Sequence, residues 1–295
     1  MYDIAALYEA ESAENAVQLL QEHPEAQILA GGSDVLVQIR EGRRAGVELV
    51  DIYMLDELRG VSIDEEENIR IGSLTSFSHI TKDEIIQKYI NVLGEAVDQV
   101  GGPQIRAIGT IGGNTCNGVT SADSASTLLA WDAIVEILGP NGVRRVPLKD
   151  FYIKAKEVDL KPAEIQTAIL IPKESYDGCF GHYIKYSMRN ALDIATTGCS
   201  VNVRLSEDKK TFERVRIAYG VAAPIPIRAY TAEQFINGKK VNDKNIKEFA
   251  ETVLEDVSPR DSWRAGKALR KHISVVMAER ALRESTIQAG GAVNG

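Results

Sequence analysis

The amino-acid sequence predicts a protein of mixed α-helices and β-strands with more than one domain, and three observations lead to this prediction. A chain of 295 residues is long enough for two or three domains, each with its own core. Segments with helical spacing of apolar residues alternate with short apolar runs over the first fifty residues. Three strand candidates between residues 181 and 222 precede two long helical segments near the carboxy terminus.

The first predicted section, residues 1–55, contains a helix, a strand, a loop, a second helix and a second strand. The helix SAENAVQLLQE at 12–22 begins with Ser12 as its N-cap. The strand QILA then leads into the loop GGSD, and VLVQIREG follows as the second helix. The strand GVELVDI at 46–52 ends this section, which therefore has an α/β pattern with short connections.

The second predicted section, residues 56–174, contains strands at both ends and helices between them. NIRIG predicts a strand, and ITKDEIIQKYINVLGEAVDQV predicts one or two helices. An uncharged stretch follows at 109–123, GTIGGNTCNGVTSAD, whose only charged residue is the final aspartate. Asn141-Gly142 predicts a hairpin with Pro147 on an edge strand, and the strand EIQTAILIP closes the section.

The third predicted section, residues 175–288, contains an antiparallel sheet followed by helices. Its strands are GHYIKYSMR, ATTGCSVNVRLSE and FERVRIAYGVA, and VAAPIPIRAY is expected to end the sheet. Apolar residues recur at helical spacing through 242–257, and a final helix is predicted over 262–285. Residues 289–295 are expected to form a flexible tail.

Composition and charge exclude several classes of protein. The net charge of −8 gives no basic surface for nucleic acid or for an anionic membrane. The acidic amino terminus lacks the pattern of a secretory signal, and no apolar run is long enough for a membrane span, so a cytoplasmic location is expected. The three cysteines form no C-x-x-C pair and the four histidines are scattered, so no metal site is expected.

Two glycine pairs are the candidate binding elements, AGGSD at 30–34 and TIGGN at 110–114. Successive backbone N–H groups in a glycine turn form a concave site for anions, and two such loops could together hold one diphosphate. Asp34 would repel a phosphate, so its carboxylate is expected to cap the next helix or to accept from loop amides. A single Gly-Gly pair is more often only a turn, and this alternative stays open for each loop.

Other nucleotide motifs are absent from the sequence. It contains neither the G-x-G-x-x-G pattern of a Rossmann dinucleotide site nor the phosphate-binding G-x-x-x-x-G-K-[ST] pattern. The residues alone therefore indicate an α/β protein with two candidate phosphate loops.

Three segments carry a more specific resemblance: AGGSDVLV, IRAIGTIGGNTCNGVTSADSA and KYSMRNALDIA. With GVAAPIPIR and SPRDSWRAGKALR they resemble the FAD-binding subunits of molybdenum hydroxylases, and within them those of bacterial three-subunit xanthine dehydrogenases. The resemblance covers nearly the whole chain. It implies an α+β fold: two FAD-binding subdomains of the vanillyl-alcohol oxidase and para-cresol methylhydroxylase type, at 1–55 and 56–174. A carboxy-terminal domain of antiparallel sheet and helices would follow at 175–288.

The resemblance also implies which residues bind FAD. Asp123 would accept hydrogen bonds from the ribose or adenine end, or cap the helix SASTLLAWDA, or do both. The backbone of Ile165 would pair with the adenine. Lys185 would reach the isoalloxazine and is the only catalytic candidate, unless it is an exposed strand lysine; Asp193 would lie near the flavin edge. The diphosphate would lie on the backbone of two segments, comprising Gln27, Ile28, Leu29, Ala30, Gly31, Gly32, Ser33 and Asp34 in the first and Thr110, Ile111, Gly112, Gly113 and Asn114 in the second.

The implied function is electron transfer within a complex. A large molybdopterin-binding subunit would hydroxylate a purine, a small subunit with [2Fe–2S] clusters would pass the electrons to FAD, and the flavin would reduce NAD⁺. A dimer of heterotrimers is the implied assembly, without nucleic acid or membrane partners. A related subunit serving another N-heterocycle or aromatic substrate, a self-contained FAD oxidase and a cofactor-free scaffold are the alternatives. Cys116 is interpreted as a packing residue.

Overall fold

The computed structural model describes residues 2–293, and its amino-terminal part is a three-stranded parallel sheet in the order β1-β3-β2. Ser12 caps the first helix by accepting from the N–H of Asn15, as predicted. The sequence did not predict β1, because the residues IAALYE of this edge strand show no alternation of apolar and polar types, although their exposure alternates from Ala5 to Glu9. The elements are β1 (Ile4–Glu9), α1 (Ala13–Glu22), β2 (Gln27–Leu29), α2 (Val35–Arg40) and β3 (Val47–Asp51).

The second part is a five-stranded antiparallel sheet in the order β4-β5-β10-β6-β7, with a separate two-stranded sheet of β8 and β9. Every residue of the central strand β10 is buried, which explains its continuous apolar sequence. The strands are β4 (Val61–Ile63), β5 (Ile69–Gly72), β6 (Ile134–Gly139), β7 (Gly142–Pro147), β8 (Tyr152–Lys154), β9 (Glu157–Val158) and β10 (Ile165–Ile171). The helices are α3 (Phe77–Ile80), α4 (Glu84–Tyr89), α5 (Asn91–Asp98), α6 (Pro103–Ile108), α7 (Ile111–Cys116), α8 (Asp123–Ala130) and α9 (Leu148–Phe151).

The predicted hairpin is confirmed as the β6–β7 pair. Gly142 has a φ of 95° and pairs with Gly139 across the turn, and Pro147 pairs with Ile134 on the edge strand β7. The uncharged stretch, in contrast, is not a simple loop. Its residues Ile111–Cys116 form helix α7, with Thr110 at the N-cap.

The third part is a four-stranded antiparallel sheet in the order β11-β12-β13-β14, with helices packed against it. The three predicted strands are confirmed. VAAPIPIRAY does not end the sheet, however, because Ile227 and Arg228 pair with the end of β13. The elements are α10 (Lys173–Tyr176), β11 (Phe180–Tyr186), β12 (Thr197–Leu205), β13 (Phe212–Gly220), β14 (Ile227–Arg228), α11 (Tyr230–Ile236), α12 (Asp243–Thr252) and α13 (Lys267–Gln288).

The start of the predicted flexible tail is packed against the protein. Ala289 is 5% exposed, and the N–H of Gly291 donates to the carbonyl of Thr286 at 2.9 Å. These contacts hold the end of α13 against the third sheet. Asn294 and Gly295 lie outside the described residues. The predicted domain boundaries at 55, 174 and 288 stay predictions.

A network of ion pairs joins the second and third parts. Asp132 follows α8 with a φ of 48°, in the left-handed region that glycine usually fills after a helix. Its carboxylate contacts both Arg216 of β13 and Arg228 of β14, and Arg228 also pairs with Glu233 at 2.5 Å. The side chains of both arginines are more than nine-tenths buried, so this network fixes how the third sheet sits on α8.

Candidate functional site

A cavity of about 580 Å³ lies where the first loop, α7 and the start of β10 meet. This volume is within the range of small-molecule and cofactor sites. Twelve of the predicted binding residues, from three separate parts of the chain, line this cavity. The predicted residues on its wall are Gln27, Ile28, Ala30, Gly31, Gly32, Ser33, Asp34, Thr110, Gly112, Gly113, Asn114 and Ile165.

The first loop offers free backbone donors. Gly32 has a φ of 69°, which the turn requires. A Cβ on Gly31 would lie 1.8 Å from the carbonyl oxygen of Ile108, so this glycine permits the loop to contact the end of α6. Within residues 2–293, no acceptor pairs with the N–H groups of the four residues from Gly31 to Asp34. Four adjacent N–H groups of this kind are suited to a negatively charged ligand.

Asp34 does not cap α2, which corrects one sequence expectation. It occupies the N-cap position with a helical backbone conformation, and its side chain makes no cap hydrogen bond. Its carboxylate instead accepts from the Nε2 of Gln38, one turn further along the helix. The i,i+4 contact draws the negative charge along α2 and away from the free N–H groups.

Four of the five N–H groups of the second segment are bonded within the protein, which corrects the expectation that its whole backbone is open to a diphosphate. Only the N–H of Thr110 has no acceptor among residues 2–293. The N–H of Ile111 donates to Thr75 and that of Gly112 to Ser73, at 3.0 and 2.8 Å. The N–H of Gly113 donates to the Thr110 hydroxyl at 3.1 Å, and that of Asn114 donates to the Thr110 carbonyl at 3.0 Å. These bonds form the cap and first turn of α7 and hold it against the second sheet.

Besides the N–H of Thr110, the second segment therefore offers the cavity its side chains. The Thr110 hydroxyl accepts from Gly113 and keeps its own proton for a ligand. Asn114 accepts from the hydroxyl of Ser124 at 2.7 Å through Oδ1, which leaves its amide nitrogen as a donor. Gly112 fits closely because a Cβ there would lie 2.6 Å from the Cβ of Ser73.

Three residues on the cavity wall carry buried polar atoms without a protein partner among the described residues. They are Gln27 through Oε1, Ser73 through Oγ and Gln166 through Nε2. Buried polar groups are nearly always paired, so these three atoms are candidates for hydrogen bonds to a polar ligand in the cavity. Sequence reasoning missed Ser73 and Gln166. Gln166 was detectable, because it is the only large polar side chain in the apolar strand EIQTAILIP after its first residue.

Asp123 and Lys185 form a buried ion pair at the junction of α8 and β11, and neither lies on the cavity wall. Lys185 donates to Asp123 and to the carbonyl of Gln99, in both cases at 2.8 to 2.9 Å, so it is not the exposed strand lysine of the alternative interpretation. Val100, the neighbour of Gln99, does line the cavity. The Lys185 ammonium is therefore bonded to the residue that precedes a residue of the wall.

Asp123 is not the cap of α8, since Ala122 occupies that position and no side-chain cap bond is made. Its carboxylate accepts from the hydroxyl of Tyr183 at 2.8 Å as well as from Lys185. Burial raises the pKa of the Asp123 carboxyl, while the Lys185 ammonium and the Tyr183 hydroxyl act in the opposite direction. The three side chains connect the second and third parts of the fold.

Asp193 organises the loop between β11 and β12. Its carboxylate accepts from the N–H groups of Met188, Arg189 and Ile194, each at 2.9 Å. Although partial burial acts to raise the pKa of Asp193, these three backbone bonds lower it overall. In this structure the residue holds a loop conformation and does not lie on the cavity wall.

Residues 2–293 contain neither a metal-binding cluster nor a membrane-spanning helix. No group of three or more His, Cys, Asp or Glu side chains is arranged to hold a metal ion. No helix in this part of the chain combines the length and the apolar character of a membrane span.

Comparison with known proteins gives two family matches that together span most of the chain. Residues 3–174 match the FAD-binding domain in molybdopterin dehydrogenase, and residues 182–285 match the CO dehydrogenase flavoprotein C-terminal domain. The xanthine dehydrogenase FAD-binding subunit of Escherichia coli O157:H7 is 41% identical over 291 residues, which is 99% of each chain. The carbon monoxide dehydrogenase medium chain of Hydrogenophaga pseudoflava is 30% identical over 90% of this chain and 92% of its own.

A solved structure of the same type has the same fold. Carbon monoxide dehydrogenase from Hydrogenophaga pseudoflava, in a form that lacks the Mo-pyranopterin moiety, superposes with a TM-score of 0.91 at 27% identity. The match covers 98% of this chain and 99% of the other. The predicted α+β fold class, with its carboxy-terminal domain of antiparallel sheet and helices, is thus confirmed.

Proposed function

We propose, on the premise that this chain belongs to the family of FAD-binding domains of molybdopterin dehydrogenases, that it passes electrons through FAD to NAD⁺ in a xanthine dehydrogenase. The chain is an FAD-binding oxidoreductase subunit of the molybdenum hydroxylase type. Identity of 41% over 99% of both chains to a xanthine dehydrogenase subunit favours a purine, such as hypoxanthine or xanthine, as the substrate of the whole complex.

The proposed complex has two further kinds of subunit. A large molybdopterin-binding subunit hydroxylates the purine with water, and a small subunit carries [2Fe–2S] clusters between it and this chain. Three cysteines are too few for the four thiolates of such a cluster, which supports a separate cluster subunit. A dimer of heterotrimers in the cytoplasm completes the proposal.

The observation that carries the cofactor assignment is the distribution of unpaired donors around the cavity. Four backbone N–H groups from Gly31 to Asp34 lack an acceptor among residues 2–293 and can donate to a diphosphate. Hydrogen bonds from such donors to a charged oxygen contribute roughly 1.5–3 kcal/mol each. The Thr110 hydroxyl and the Asn114 amide add donors from the opposite side.

Of the other predicted residues, one is proposed to contact FAD directly and two are proposed to act on it indirectly. The backbone of Ile165, at the start of β10 on the cavity wall, pairs with the adenine. Lys185 acts on the isoalloxazine through the electrostatic field, because it is not a residue of the cavity wall and its ammonium is bonded to Asp123 and Gln99. Asp193 acts by holding the 187–194 loop at the flavin edge. When bound, FAD supplies the centre that exchanges single electrons with clusters and electron pairs with NAD.

The first experiment identifies the cofactor. The purified chain is examined for a visible flavin spectrum, and the chromophore released by heat is identified by chromatography. FAD supports the proposal, whereas FMN contradicts it. If the chain is colourless, FAD is added to the complex purified with its partners, and failure to bind there refutes the assignment.

The second experiment tests the acceptor and the alternatives. Anaerobic NADH is added to the FAD-loaded chain, and bleaching of the flavin band supports NAD as the acceptor; an unchanged band contradicts it. Oxygen-dependent oxidation of an organic substrate by this chain alone would instead favour a self-contained oxidase. Xanthine, nicotinate and quinoline are then compared as reductants of the whole complex, since the substrate is selected outside this chain.

A further inference from the structure

Cys116 lies on the cavity wall and contacts one of the buried side chains that lack a full set of partners. Its sulfur is 3.0 Å from Oε1 of Gln166. Gln166 is only 4% exposed, and its Nε2 has no acceptor among residues 2–293. The side chain of Gln166 is thus hydrogen-bonded through its oxygen but not through its nitrogen. It follows Ile165, whose backbone is proposed to pair with the adenine.

The protonation state of the thiol determines which way the amide is held. Burial raises the pKa of the Cys116 thiol to about 12, so the sulfur keeps its proton at neutral pH and can donate it. An S–H donor requires the glutamine oxygen as its acceptor. The amide nitrogen of Gln166, which has no acceptor among residues 2–293, is then the group of this side chain that a ligand in the cavity would bond.

A second amide on the same wall is held in the same way. The hydroxyl of Ser124 is 1% exposed and donates to Oδ1 of Asn114 at 2.7 Å, which leaves the Asn114 nitrogen without a protein acceptor. In both pairs a small side chain donates a hydrogen bond to the amide oxygen, and the NH₂ group has no acceptor among the described residues. The two amides come from α7 and β10, on either side of Cys116.

We infer that Cys116 is a positioning residue that orients the Gln166 amide as a hydrogen-bond donor to the adenosine half of FAD, as Ser124 orients the Asn114 amide toward the diphosphate. This inference rests on the proposed function, because it assumes FAD in the cavity. It gives Cys116 a role in ligand selection without redox chemistry. The chain then distinguishes FAD from FMN, which lacks the adenosine half, partly through Gln166.

The test compares Cys116→Ala, which removes the donor, with Cys116→Ser, which keeps one. Dissociation constants for FAD and for FMN are measured by flavin fluorescence on the full chain stripped of flavin. Cys116→Ala is expected to weaken FAD binding about three- to tenfold, or about 0.7–1.4 kcal/mol, and to leave FMN binding unchanged. Cys116→Ser is expected to stay within about twofold of the wild type, on the same scale.

Two controls separate positioning from packing. Cys179→Ala removes another buried thiol, which contacts the carbonyls of Glu174 and Asp177 away from the cavity, and should change neither constant. Gln166→Leu should reproduce the effect of Cys116→Ala, and the double variant should show no additional loss.

The outcomes are distinguishable from failure of the proposed function. Equal weakening of FAD and FMN by Cys116→Ala, additive effects of the two substitutions, or no effect on FAD would each overturn the inference while leaving FAD as the cofactor. A wild-type chain that binds FAD in no form, alone or in its complex, would overturn both.

Discussion

Gly113 provides a direct test of where the cofactor lies, because it is the glycine of the second pair whose missing side chain faces the cavity. It lies in the first turn of α7 and is exposed on the cavity wall. A Cβ on Gly113 would meet only the hydroxyl of Thr110, at 2.9 Å. Gly113→Ala therefore adds one methyl group to the cavity and disturbs one side chain.

The expected change in stability of the flavin-free protein is small. Alanine is favoured over glycine in a helix by about 1 kcal/mol, and displacing the Thr110 cap costs about 0.5–2 kcal/mol. The two effects oppose each other, so the free energy of unfolding should change by no more than about 1 kcal/mol. FAD affinity should fall at least about tenfold, or 1.4 kcal/mol, because the methyl occupies space next to the proposed diphosphate.

Gly31→Ala is the matched control, since it adds the same methyl group where the protein itself needs the space. The new Cβ would lie 1.8 Å from the carbonyl oxygen of Ile108, and a backbone contact so short forces the loop to move. Overpacking of this kind costs about 1–3 kcal/mol, so this variant should unfold earlier even without flavin.

The assay combines thermal unfolding of both stripped variants with fluorescence titration of FAD. Gly113→Ala is expected to lose affinity for FAD while its thermal stability stays nearly unchanged. Gly31→Ala is expected to lose thermal stability. Normal FAD binding by Gly113→Ala would show that the cofactor does not approach α7. Unfolding of the stripped Gly113→Ala chain would show that this glycine serves packing.

Two further predictions follow from ion pairs. Asp132→Asn should lower the free energy of unfolding by about 2–4 kcal/mol in denaturant titrations, because the buried guanidinium groups of Arg216 and Arg228 lose a shared anion; an unchanged midpoint would contradict this. Glu164 accepts from Arg144 at 2.6 and 2.8 Å, and these bonds lower its pKa from 4.5. The resulting stabilisation is present above the unfolded pKa and is lost as the pH falls through the lower folded pKa, so Glu164→Gln should make unfolding less dependent on pH below about 5. An acid transition identical to that of the wild type would contradict the assignment.

The parts of the site that are specified by adjacent residues could be predicted from the sequence. Gly31 and Gly32 follow an apolar strand, and Thr110 and Gly112 follow a helix end, so each turn could be placed without knowing its neighbours. The resemblance then indicated that the two turns belong to one site. The structure brings both to the same cavity as Ile165.

The predictions that failed concern residues whose roles depend on contacts between distant segments. Asp123 has the sequence context of a cap, yet its carboxylate is bonded to Tyr183 and Lys185, which lie about sixty residues further along the chain. Lys185 has the alternation of an exposed strand residue, but α8 and the end of α5 cover it. No local pattern reports such a partner, because the burial is created by packing of the third part on the second.

The two glycine pairs look alike in sequence and serve different purposes in the structure. In the first loop the backbone N–H groups are free, so the identity of Ser33 should matter little as long as the turn forms. In α7 the N–H groups of the first turn are bonded, so recognition depends on the side chains of Thr110 and Asn114 and on the N–H of Thr110. Removal of a side-chain donor leaves a ligand oxygen unpaired, whereas the backbone donor of Ser33 survives every substitution, except proline, that leaves the turn intact. Substitutions can therefore remove the side-chain donors of α7 one at a time, whereas the four N–H groups of the first loop are lost together, when the turn itself is lost.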